Sequence, residues 1–157
     1  MGFDLDELRT AVAEHGRVVR VVIAALRGSS PREVGAAMLV WNDGQSGTIG
    51  GGTLEFQAAQ AARSATPRIG LSHHALGPDL GQCCGGAVTL LCETYDAETV
   101  AALDPDIIAR AVSGAGEMPM SVRRMLSEAR GQGQMPDAQL IDGWMVEPVH
   151  VPARPLW

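Results

Sequence analysis

The spacing of apolar positions changes along the chain, and each change marks an element. Leu5, Leu8 and Val12 share one face of a helix predicted over residues 4–15. Asp4 and Glu7 have the spacing of a capping box, with Asp in place of the usual Ser or Thr, and Gly16 can stop the helix. Residues 18–26, VVRVVIAAL, are β-branched and almost unbroken in apolar character, as expected of a strand buried on both faces. Arg20 interrupts that run and is assigned to one end of it. A second strand is predicted over 36–41, a turn at Asn42-Asp43-Gly44, and a third strand near 45–49. Residues 53–63 are good helix formers, and Leu54, Ala58, Ala61 and Ala62 give them a small-residue face for packing on a sheet.

Farther on, 67–75 reads as a strand, 76–86 as a loop and 87–93 as a buried strand. Asp104-Pro105 is a helix start by its cap and first-position residues, with Ile107, Ile108, Ala111 and Val112 continuing the helix to Gly114. Strand-like pieces follow near 119–125, 139–141 and 144–151, and 131–134 reads as a hairpin turn or flexible loop. There is no internal repeat. The pattern predicts an α/β fold, a mixed sheet with packed helices.

The 157 residues suit one ordinary domain. Aromatics are only 4%, so the core is expected to be aliphatic and alanine-rich, which argues against a stacking platform for single-stranded nucleic acid. All 12 basic residues are Arg; without Lys there is neither Schiff-base chemistry nor a P-loop lysine. A net charge of −6 argues against nucleic acid or an anionic membrane as partner. No apolar run approaches the roughly 18 residues of a spanning helix, and the acidic N-terminus lacks the features of a signal peptide, so a cytoplasmic protein is expected. The three cysteines, Cys83, Cys84 and Cys92, are an odd count and no disulfide framework.

Candidate chemistry gathers in three glycine-rich loops beside strands, where α/β sheets collect ligands. In the first, Gly28 permits close backbone approach, Ser29 and Ser30 bring hydroxyls, and Arg32 offers a fork for phosphate or carboxylate. In the second, Gly50, Gly51, Gly52 and Thr53 feed a helix N-terminus, whose free amides and dipole favour an anion. Glu55 stands where a dinucleotide fingerprint would have its third glycine, and is read as a helix cap. The third carries Gln82, Cys83, Cys84, Gly85 and Gly86. Its adjacent cysteines suit thiolate or persulfide chemistry but lack zinc spacing, and Cys92 is placed inside the next strand. Each loop taken alone also reads as a plain turn, a tight connection or a pair of inert thiols.

Taken together, residues 28–38, 47–55 and 80–86 resemble, in order and spacing, the N-terminal domain of the xanthine dehydrogenase accessory protein family (XdhC/CoxI type). Glu147-Pro148 followed by Pro152 resembles that domain's end, and the resemblance covers about residues 10–155. It implies a chaperone rather than a turnover enzyme. Such a protein binds the molybdenum cofactor (molybdopterin), assists its sulfuration by a cysteine desulfurase and delivers it to a xanthine dehydrogenase-type apoenzyme. On this reading the phosphate meets Arg32 or the start of the helix at 50–53, and Ser29, Ser30 and Gln82 meet the pterin. Cys83 or Cys84 lies near the molybdenum, with no metal ligand assigned. The alternatives are a thiol-dependent sulfur carrier using Cys83 or Cys84, or a docking module without cofactor binding. Thr53 replaces a Cys found in some relatives, which favours the xanthine dehydrogenase branch. Typical relatives continue into a Rossmann-like second domain, and the 157 residues are expected to form the first domain alone. A homodimer is expected from the strand region 144–151 and the apolar Leu156-Trp157.

Overall fold

The long apolar run is the central strand of the fold. The computed structural model describes residues 3–28, 32–50, 52–64, 69–75, 86–112, 117–133 and 135–149. Among them the elements run α1 (Leu5–His15), β1 (Val18–Arg27), β2 (Ala37–Trp41), β3 (Gly44–Gly47), α2 (Gly52–Ser64), β4 (Ile69–Ala75) and β5 (Ala87–Tyr95). Then come α3 (Ala97–Ala101), β6 (Ile107–Ala111), α4 (Met120–Gln132), β7 (Gln139–Ile141) and β8 (Trp144–Pro148). A five-stranded sheet has the order β3-β2-β1-β5-β4, and a three-stranded sheet the order β6-β8-β7. The expected α/β class holds, and the strand pairs within both sheets are antiparallel.

Opposite sides of β1 serve different layers, which is why the strand is apolar nearly throughout. Val19, Val21 and Ile23 pack beneath Leu54, Ala58, Ala59 and Ala62 of α2. On the other face Val18 joins Leu8 and Val12 of α1, while Val22 and Ala24 join Leu140 and Met145 of the small sheet. Val122 and Ala129 of α4 cover that sheet's far side, against Ile107 and Val146. The first helix starts as its sequence indicates, with the Glu7 amide donating to Asp4 Oδ1 at 3.0 Å.

Two segments change type. Residues 107–111, expected to be helical, form β6. Asp104 does accept from the amides of Asp106 (2.8 Å) and Ile107 (3.3 Å), but this cap-like turn opens a strand. The β-branched Ile107 and Ile108 then pair with Pro148 and Glu147 of β8. The helix in this region is α3, where Asp96 and Thr99 complete a capping box. Residues 120–125, expected to be extended, begin α4. Val122, Met125, Leu126 and Ala129 follow the helical period, and residues 131 and 132 belong to its last turn. The strand region that suggested a homodimer is internal: β8 is central in its sheet, and Met145, Val146 and Glu147 are buried. Residues 150–157, with Leu156 and Trp157, lie outside the described residues.

Arg20 is not at a strand end. It lies opposite Leu39 and Glu93 within the large sheet and is 3% exposed. Its two terminal nitrogens donate to the two carboxylate oxygens of Glu147 on β8, both at 2.8 Å. Arg110 of β6 donates to Glu93 through Nε (2.8 Å) and to Glu147 through Nη2 (2.7 Å). Two guanidiniums and two carboxylates thus join the sheets with no net charge. The Phe3 ring lies against the Arg20 guanidinium, 3.9 Å from its centroid. Burial alone would raise the Glu147 pKa, but Arg20 and Arg110 outweigh it and hold the carboxyl below its usual range. Burial and the Glu93 charge push the neighbouring Tyr95 phenol up.

Candidate functional site at one end of the large sheet

Antiparallel pairing carries the three glycine-rich segments to the same end of the large sheet. Arg27 at the end of β1 and Ala75 at the end of β4 both lie opposite Ala87, the first residue of β5. Gly47 at the end of β3 lies opposite Met38, near the start of β2. Connections 28–36, 48–51 and 76–86 therefore leave from this end.

Two contacts join the segments. Gly28 has φ 75°, and a Cβ placed on it would lie 3.2 Å from Cα of Gly86, so the first and third segments meet backbone to backbone. Arg32 Nη1 donates to the carbonyl oxygen of Thr48 at 3.2 Å, tying the first segment to the second. Gly28→Ala is expected to cost about 1–2 kcal/mol, from left-handed strain and the close approach together. Urea denaturation would measure this, and an unchanged midpoint would show that the two segments separate freely.

Glu55 organises the second segment. Its Oε1 accepts from the Thr48 hydroxyl (2.5 Å) and the Ile49 amide (3.0 Å). Thr48 Oγ1 in turn accepts from the Gly50 amide at 3.0 Å. The carboxylate braces the loop before α2 rather than capping the first turn of the helix itself. The first-turn amides of α2 have no partner within the helix. Gly52 has φ 21°, and a Cβ placed on it would meet no atom of the described residues within 4 Å. No periodic pattern signals the Thr48–Glu55 brace, because it forms only when the glycine turn folds back.

Of the candidate residues, Gly28, Arg32, Gly50, Gly52, Thr53 and Gly86 stand at this end of the sheet. Ser29, Ser30, Gly51, Gln82, Cys83, Cys84 and Gly85 lie outside the described residues. Cys92 is on β5, as expected, and burial together with the Glu93 charge pushes its thiol up, so it is protonated and unreactive at neutral pH. His73 and His74 are engaged locally: His73 Nδ1 is 3.0 Å from Thr89 Oγ1, and His74 Nε2 is 2.9 Å from Ser72 Oγ. Among the described residues no helix is long and apolar enough to cross a membrane.

This geometry defines an α/β domain in which the described ends of three glycine-rich connections, at Gly28, residues 47–50 and Gly86, lie at one end of the large sheet. Residues 11–69 match the XdhC and CoxI family. Among solved structures, a protein described as a xanthine dehydrogenase from Bacillus halodurans is similar, with 28% identity and a TM-score of 0.56. The likeness covers 63% of this chain and 32% of that one, so the chain accounts for about a third of that protein's length. No curated protein matches. The match to the XdhC and CoxI family contains the first two glycine-rich segments, and the structural likeness supports an XdhC/CoxI-type domain.

Proposed function

We propose that the loop end of the large sheet binds the molybdenum cofactor, and that the protein is an accessory chaperone in the maturation of a xanthine dehydrogenase-type enzyme. The observation that carries this reading is the convergence of the three motif segments, through Gly28 against Gly86 and Arg32 on Thr48, within an XdhC/CoxI-type domain. The donor set suits the ligand's chemistry. Arg32 and the first-turn amides of α2 bind and orient a phosphate. Ser29, Ser30 and Gln82 supply hydrogen-bonding partners for a pterin edge. Cys83 and Cys84 are the thiols left for sulfur chemistry, since Cys92 is held protonated inside the sheet. The bound cofactor supplies a dithiolene-held molybdenum that carries a sulfido ligand in the client enzyme. Sulfuration by a cysteine desulfurase, delivery to the apoenzyme, homodimerisation and a cytoplasmic setting complete the proposal.

Anaerobic incubation with the cofactor, followed by gel filtration and molybdenum analysis of the protein peak, tests it. Near-stoichiometric co-elution is the expected result. A peak free of molybdenum and pterin at micromolar protein would overturn cofactor binding.

A further inference from the structure

At the other end of β5, roughly 25 Å from the motif loops by strand rise, lies a cavity of about 480 Å³. It opens between the end of β5, the α3–β6 connection and α4. Ile69, Leu103, Met118 and Leu126 supply apolar lining. Arg110 and Glu93 also line it, but Arg110 spends its donors on Glu93, Glu147 and the carbonyls of Ile108 and Met145. A ligand's charge must therefore be met at the rim.

The cavity rim sets Asp104 beside Arg130, and the shallow groove beyond it adds Arg123 with no carboxylate of its own among the described residues, a local positive excess in an acidic protein. Arg123, Arg124 and Arg130 on α4 face only Glu128 on the same helix, so its net charge is positive, whereas the chain carries −6. Arg123 and Arg130 lie two turns apart on one ridge, about 10 Å by helix rise, and line the shallow groove that continues from the cavity across Met118 and Leu126. Arg130 is 65% exposed and reaches Asp104 only at 3.4 Å, a surface pair of little worth. Among the described residues the guanidinium of Arg123 has no ion pair or hydrogen bond.

We infer that this groove docks an acidic protein segment that places one apolar side chain in the cavity and carboxylates on Arg123 and Arg130. Charge complementarity selects the occupant's sign, and the apolar slot selects a peptide over a nucleic acid. The inference stands apart from the cofactor reading, which concerns the opposite end of the sheet.

Fluorescence anisotropy of a labelled Asp/Glu-rich peptide with one central Phe, titrated with the full chain, tests it. Replacing the Phe by Ser, or making the exposed double change Arg123→Glu and Arg130→Glu, is expected to weaken binding at least about tenfold each. Added salt should weaken it further. Thermal melting should show the charge-reversed protein to be folded. No binding up to millimolar protein, or equal binding of the Phe and Ser peptides, would overturn the inference. So would equally tight binding of a single-stranded RNA oligonucleotide, or a dimer in light scattering that the charge reversal dissolves, because the occupant would then be a polyanion or a second copy.

Discussion

Glu147→Gln is expected to destabilise the fold by about 3–5 kcal/mol, the usual cost of removing one partner from a buried ion pair. For a chain of this length that is a fall in Tm of roughly 6–20 °C. The carboxylate answers both guanidiniums, Arg20 through two hydrogen bonds and Arg110 through one. Its loss leaves one positive charge buried and unanswered among Phe3, Tyr95 and the two sheets. Arg20→Met combined with Glu147→Met should recover much of the loss, because Arg110 and Glu93 remain as a matched pair. The pH dependence has a definite sign. The folded state holds the Glu147 pKa below its ordinary value of 4.5. Its contribution is therefore complete above the unfolded value and disappears as pH falls through the folded one. The gap between wild type and Glu147→Gln should narrow in that acid range and stay constant near neutrality. A neutral-pH cost under about 1 kcal/mol in chemical denaturation would show that the cluster does not hold the sheets together.

Arg32→Ala should weaken cofactor binding by roughly 10- to 150-fold, the equivalent of losing a charge-assisted hydrogen bond worth about 1.5–3 kcal/mol. The effect on stability should be far smaller. Among the described residues Arg32 donates to the Thr48 carbonyl at 3.2 Å and lies 3.6 Å from the exposed Glu33, surface contacts of which each is worth about 1 kcal/mol or less. Arg32→Lys should restore only part of the affinity, since an ammonium lacks the planar fork. Thermal melting and cofactor titration on wild type and both variants separate the effects. Unchanged affinity in both would remove Arg32 from the site. A large fall in Tm with little change in affinity would make its bond to Thr48 structural.

The motif loops were legible because their chemistry is local. Glycine clusters beside strands need no knowledge of distant residues, and they end on one side of the sheet because short connections force antiparallel neighbours. What the loops do to one another was not legible. The approach of Gly28 to Gly86 continues the β1–β5 register past Arg27 and Ala87, and the brace from Glu55 to Thr48 depends on a turn, and no periodicity records either.

Local signals also settled most elements: the Asp4 cap, the buried run of β1, the turn at Asn42-Asp43-Gly44 and the alanine-rich α2. They failed where one signal served two structures. Asp104 can open a helix or a strand, and only pairing with β8 decided for the strand. Arg20 shows the same limit more sharply. A single charge in an apolar run reads as a strand end, because an isolated buried charge costs several kcal/mol. Its partner Glu147 on β8 is 127 residues away in sequence, and Arg110, which shares that carboxylate from β6, is 90 residues away. The sequence by itself therefore determined every strand but β6, the helices α1 and α2, and the positions of the glycine-rich loops, through contacts only a few residues long. The tertiary structure decided which charges could be buried and which loops met, because those energies exist only after the two sheets have come together.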